Sequence, residues 1–332
     1  MTRLGDLSAV RFWLPAAAAL VALLTAAVAF GAVPLSPHAV WRAVLGAGDE
    51  TTVAIVRSLR MPRAALAALV GAALGMSGAA LQGSLRNALA EPYLLGVSGG
   101  AAVGAVSAVA LGVAGAAAVP VAAFAGAAVA VGVVLLVARA ARGRADPRVL
   151  LMAGVIVGAF ANAAIMVALA DAPPNTTRGA LWWMMGSVAG ADWPRVAWLA
   201  LYLAVGGGAL VLWARDIDVL SLGEEPAAAL GVHVERASRR VYLAASLLAA
   251  ATVAAVGLVG FVGLVVPHIA RGAGLRGHRA VLLGAALCGA ALLVGADLVA
   301  RVLRAPAELP LGAVTALVGV PFFLVQLRRA SA

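Results

Sequence analysis

The 332-residue chain is 64% hydrophobic and only 11% charged, where soluble domains carry about 25% charged residues. With a mean hydropathy of +1.04, this composition excludes a soluble globular protein and implies one membrane domain over 1–332. The formal charge of +10 comes from 24 basic residues, all arginine and scattered between apolar runs, which points to topology and not to a nucleic-acid face.

The absence of lysine excludes a P-loop nucleotide site and Schiff-base chemistry, each of which needs a lysine amine. The single Cys288 excludes an intrachain disulfide.

Uncharged runs predict ten spans, near 12–33, 64–84, 93–113, 117–138, 149–170, 196–213, 241–257, 258–270, 280–300 and 311–327. The first is too long for the 7–15-residue apolar core of a signal peptide and is read as a span. Gly115 and Pro120 divide the third from the fourth. The seventh and eighth share one uncharged stretch, and arginine bias decides between one span and two. Ten spans with both ends in the cytoplasm put sixteen arginines inside and eight outside, whereas merging the pair moves Arg271, Arg276, Arg279, Arg328 and Arg329 outward.

Before the second span, RSLRMPR places Arg57, Arg60 and Arg63 at helical spacing on the arginine-poor face, with Pro62 suited to a helix start. Docking of an acidic partner and snorkelling anchors both account for such a cluster. The stretches ALAEPYLLGVSGGAAVG (88–104) and APAELPLGAVTALVG (305–319) each set Ala-Glu, Pro and Leu-Gly at the mouth of a small-residue run, and lie on opposite faces in the ten-span topology. An inverted repeat, a transporter architecture, produces such a pair, and so does the ordinary punctuation of span boundaries by Pro and Gly. Glycines four apart, at Gly71-Gly75, Gly100-Gly104 and Gly154-Gly158, predict close helix packing.

The loop 215–240 contains SLGEEPAAALG, read as a short extramembrane helix with Ser221 as N-cap and Gly231 as stop. It is either a capped linker or the contact with a separate ATPase. Asp297 and Arg301, four apart at the outer end of the ninth span, are spaced to pair. His38, His233, His268 and His278 form no metal-ligand pair on one span, and no acid pair or nucleophile-base arrangement lies mid-membrane, so an enzyme is not expected. His268 is read as structural.

The segments RMPR (60–63), GAALGMSGAALQGSLRNALAEPYLLGVSGGAAVGA (71–105), WWMMGS (182–187), LGEEPAAALG (222–231), GFVGLVVPHIAR (260–271), GHR (277–279) and ADLVARVLRAPAELPLGAVTALVGVPFF (296–323) resemble the FecCD-type permeases of cobalamin, haem and ferric-siderophore ABC importers, from about Leu14 to Arg328. The resemblance implies an all-α polytopic fold of about ten spans, with spans 2–5 and 7–10 inverted copies. It implies a homodimer in the lipid bilayer of the bacterial cytoplasmic membrane and a periplasmic or tethered substrate-binding protein. It also implies two cytoplasmic ATPase subunits, which bind ATP and Mg, while this chain binds no cofactor, metal or nucleic acid.

By the same resemblance, Arg60, Arg63 and Arg301 meet the binding protein. Leu222, Gly223, Glu224, Glu225, Ala228, Leu230 and Gly231 form the ATPase-coupling contact. Asn162, Met166, Thr315 and Val318 line the pathway, and Asp146 and Pro147 stand near the inner gate. RNALAEP departs from the family's RNPLAEP at Ala88. Ferric siderophore is the leading cargo, with haem and cobalamin sharing the motifs; an ion-gradient-driven secondary transporter is the alternative.

Overall fold

The computed structural model describes residues 3–31, 33–113, 115, 117–142 and 147–330. The described chain is all-helical. In order it forms α1 (Arg3–Ala29), α2 (Pro37–Val44), α3 (Glu50–Ala54), a π-helical turn (Ile55–Arg60), α4 (Met61–Ser84), a 3-10 turn (Pro92–Leu95), α5 (Val97–Ala110), α6 (Ala118–Arg142), α7 (Pro147–Ala170) and α8 (Pro174–Met184). Next come α9 (Trp193–Tyr202), a second π turn (Leu203–Gly207), α10 (Gly208–Leu212), α11 (Ala214–Leu220), α12 (Glu224–Ala229), α13 (Val234–Val256), α14 (Val262–Gly272), α15 (His278–Val302) and α16 (Leu311–Ala330).

Each of the ten predicted spans has its helix, but among the described residues only seven helices are long and apolar enough to cross a bilayer. The exceptions include the third and eighth. At about 1.5 Å per residue, α5 with 14 residues reaches about 21 Å and α14 with 11 about 16 Å, against a hydrocarbon core of about 30 Å. The predicted bounds 93–113 and 258–270 therefore need correction. Pro92 and the left-handed Gly96 (φ 82°) delay the first; an irregular stretch, 257–261, with Gly257 at φ 75° and Phe261 at φ 68°, delays the second. Pro62 stands in the first turn of α4, as expected for a helix start, although the chain is already helical from Glu50. It falls just after the π turn, where the register shift absorbs its missing N–H.

Helix α4 is the buried axis, packed against α13, α14 and α15. A Cβ at Gly71 would lie 2.0 Å from the Gly289 carbonyl oxygen, at Gly75 2.3 Å from that of Ala285, and at Gly78 1.9 Å from that of Gly263. Only hydrogen fits there, and the expected close packing follows. The Gly100-Gly104 pair meets α6 in the same way, with Cβ positions 2.5 Å from the Gly126 oxygen and 2.0 Å from the Ala122 oxygen. Gly154-Gly158 does so only at Gly154, which abuts Leu94 and Leu95.

Two sets of four helices repeat one packing scheme. After α4, a break leads to α5, which packs on α6 and α7; after α13, a break leads to α14, which packs on α15 and α16. Since α4 runs toward the end carrying α12 and α13 runs away from it, the sets are inverted. The stretches 88–104 and 305–319 are not the equivalent pair, however. The counterpart of the break before α5 is 257–261.

Candidate functional site: two ends and a face

At the end of the bundle away from α12, Arg63 is gripped by two carboxylates. Its guanidinium donates to Asp297 at 2.7 and 3.1 Å and to Glu308 at 2.6 and 3.0 Å. Asp297 is 2% exposed, and the predicted Asp297–Arg301 pair is present but secondary, at 3.7 Å. Arg60 donates to the carbonyls of Val28 (3.0 Å), Ala29 (2.6 Å) and Val33, and Arg301 to that of Ala27. These include the terminal carbonyls of α1, which have no helical donors, so two arginines cap the α1 C-terminus. Arg60 and Arg301 are each 5% exposed, and the hydrogen bonds they make lie within the chain. Arg63 differs, because its partner Glu308 is 37% exposed and open to exchange.

At the other end stands α12. Its N-cap is Gly223 at φ 120°, not the expected Ser221. The Ser221 hydroxyl instead donates back to the Asp218 carbonyl at 2.6 Å, closing α11. Glu224 and Glu225 occupy the first turn, complementing the helix dipole, and Gly231 at φ 82° ends the helix as predicted.

Helix α12 buries only Ala227, leaving Leu222 and Leu230 about 60% exposed on its flanks. It lacks an apolar face to hold it, so charges hold its surroundings. Asp216 pairs with Arg240, which lies over the Trp213 ring at 5.0 Å. Asp218 accepts from the His278 backbone N–H and meets its Nδ1, both at 2.7 Å. Arg86 reaches Glu224 at 3.7 Å from the loop after α4. Sequence reasoning missed these pins; a positive-φ arginine (Arg86, φ 51°) leaves no local signature.

Helices α7 and α16 present an exposed apolar face, including Phe160, Met166, Leu317 and Val318, with Asn162 as a polar exception. Thr315 is not on it. It is 2% exposed and its hydroxyl donates to the Gly312 carbonyl at 3.0 Å, so the expectation that it lines the pathway is corrected. Asp146 lies outside the described residues, and Pro147 opens α7. His268 is structural as expected, its Nδ1 2.9 Å from the Leu264 carbonyl oxygen and its ring edge-on to Phe323. Among the described residues no cluster of His, Cys, Asp or Glu could hold a metal.

The sequence of this bundle matches the FecCD transport family over residues 19–329. The chain belongs to the FecCD transport family. It is thus a membrane-embedded permease of the ABC importer type.

Among curated relatives it is 42% identical over 279 residues to the cobalamin import system permease protein BtuC of Halobacterium salinarum, covering 84% of this chain and 74% of the relative. It is 41% identical over 281 residues to the vitamin B12 import system permease protein BtuC of Escherichia coli O157:H7, covering 83% and 84%. With the ABC transporter permease protein YvrB of Bacillus subtilis it shares 39% over 289 residues, 86% and 82% of the two chains. The FecCD-type fold is also that of a solved inward-facing ABC transporter described as of metal-chelate type, with TM-score 0.86 and 27% identity over 95% of this chain and 98% of the other.

Proposed function

We propose that this chain, as a homodimer, forms the membrane pathway of an ABC importer whose cargo is a cobalamin-type corrinoid. The observation that carries the reading is its 41–42% identity, over more than four-fifths of its length, to permeases named for cobalamin and vitamin B12 import. This moves the preferred cargo away from ferric siderophore. A wider metal-chelate cargo is the second reading, favoured by the likeness to the metal-chelate-type transporter.

In this scheme the α12 end faces the cytoplasm, together with both termini, in a bacterial inner membrane. Two separate ATPase subunits, binding ATP and Mg, receive α12, with Leu222 and Leu230 as its apolar contacts and Glu224, Glu225 and Ala228 between them. Gly223 and Gly231 set where the helix begins and ends. A substrate-binding protein docks at the Arg63 end. There an incoming carboxylate replaces Glu308 at Arg63, while Arg60 and Arg301 form the floor beneath. The pathway runs along the α7 and α16 faces, past Asn162, Met166 and Val318, toward an inner gate near 146–147. Small apolar linings bind a bulky chelate weakly, so affinity resides in the binding protein, and the permease performs no covalent chemistry.

A direct test reconstitutes the chain with its ATPase and binding protein and offers labelled cobalamin, ferric siderophore and haem in parallel. Accumulation of cobalamin at least tenfold above the others supports the proposal. Preference for either of the others refutes the cargo assignment.

A further inference from the structure

The stretch 257–261 is irregular backbone inside the bundle, where every N–H needs a protein partner. Its depth follows from two contacts. Ser77 of α4 donates to the Ala245 carbonyl of α13 at 2.6 Å, and Gly78 lies directly against Gly263. The chain therefore climbs from residue 245 to the end of α13 at 256 and is back at the starting level by 263. Eleven helical residues rise about 16 Å, and the chain between 256 and 263 returns about the same distance outside α13.

Two amides of this return stroke are held from the other broken element. Val259 N–H donates to the Tyr93 hydroxyl at 3.2 Å, and Phe261 N–H donates to Glu91 Oε1 at 2.7 Å. Gln82 completes the seam, donating to the Gly263 and Leu264 carbonyls at 3.2 Å each and accepting from Arg271. Phe261, a non-glycine residue at φ 68°, stays in that unfavourable conformation only while its surroundings hold it.

Both sides of Glu91 lead somewhere. Five residues earlier, Arg86 pairs with Glu224 of α12. Beyond Phe261, its side chain abuts α16, where a Cβ on Gly319 would lie 2.6 Å from the Phe261 Cβ. Helix α16 carries the exposed Leu317 and Val318.

We propose that Glu91 is a positioning residue of the transport cycle: its carboxylate is the joint through which movement of the α12 end reaches Phe261 and α16. The proposal rests on the importer reading above. Adjacency supplies the route; the experiment measures the coupling.

The test uses the full transporter, reconstituted with ATPase and binding protein, and measures ATP hydrolysed and cobalamin moved in the same vesicles. Glu91→Ala should retain ATP hydrolysis but move about tenfold less cobalamin per ATP. Glu91→Gln, which keeps an acceptor oxygen for Phe261 N–H, should recover most of that ratio. An unchanged ratio in Glu91→Ala, or transport and hydrolysis falling in proportion, overturns the proposal. If Glu91→Ala does not assemble, Glu91→Asp decides, since it withdraws the acceptor by one methylene. A ratio lowered threefold or more supports the joint, and an unchanged ratio overturns it. Wild-type vesicles that move none of labelled cobalamin, ferric siderophore or haem with ATP would overturn the importer reading and this proposal with it; coupled wild type beside equally coupled variants overturns this proposal alone.

Discussion

Replacing Asp297 by alanine isolates the buried charge cluster. Asp297 is 2% exposed and takes the Arg63 guanidinium through contacts of 2.7 and 3.1 Å, with Arg301 Nε at 3.7 Å. Arg301 Nε already lacks a hydrogen-bond partner, so the substitution leaves two buried guanidiniums with only Glu308 as counterion. Breaking a buried pair from one side costs about 3–5 kcal/mol, a shift of about a hundredfold or more in the unfolding equilibrium. Glu308→Ala removes a 37% exposed partner and should cost about 1 kcal/mol or less. Reversible unfolding in mixed micelles, titrated with denaturing detergent, measures both. The double replacement Arg63→Met with Asp297→Leu should recover most of the loss, because no uncompensated charge remains. Equal costs for Asp297→Ala and Glu308→Ala would refute the assignment of Asp297 as the buried anchor.

Other expectations use the same unfolding assay or transport. Gly71→Ala and Gly78→Ala force α4 away from backbone 2.0 and 1.9 Å from the new carbon and should each cost about 2–3 kcal/mol, whereas Gly132→Ala in α6, with nothing within 4 Å, should stabilise by about 0.5–1 kcal/mol. Gly223→Ala, at φ 120°, should weaken pull-down of the ATPase, while Ser221→Ala should leave it unchanged. Thr315→Val should leave cobalamin uptake within about twofold of wild type, since its hydroxyl bonds within its own helix. The Asp49 carboxyl is held below its usual 3.8 by N–H donation from Thr52. Its capping contribution to α3 is therefore complete above that value and lost as pH falls through the lowered one, so exchange of the Thr52 amide relative to an uncapped peptide should quicken only at the acid end.

Much of this fold was legible in the sequence because membrane helices announce themselves by composition. The ten segments, the glycine contacts of α4 and α5, and the stop at Gly231 all follow from one-dimensional rules. The break before α14 was not legible, since Gly257 and Phe261 sit in a run as apolar as any span and their conformation is fixed by Glu91 and Tyr93, some 170 residues away. Arg60 and Arg301 show a different limit. Arginine at an interface has the same sequence signature whether it faces a partner or caps a neighbouring helix, and only the position of the α1 carbonyls distinguishes the two. Thr315 is assigned to the pathway by resemblance alone, which carries no information on burial, and its hydroxyl is satisfied by the Gly312 carbonyl of the preceding turn.

The proposed function requires that a separate ATPase drive this permease. The most direct measurement is uptake of labelled cobalamin into proteoliposomes holding the permease and ATPase, with binding protein outside, and with ATP enclosed, omitted, or replaced by an imposed ion gradient. Accumulation that requires both enclosed ATP and the binding protein is the predicted result. Accumulation driven by the ion gradient without ATP would contradict the account and identify a secondary transporter.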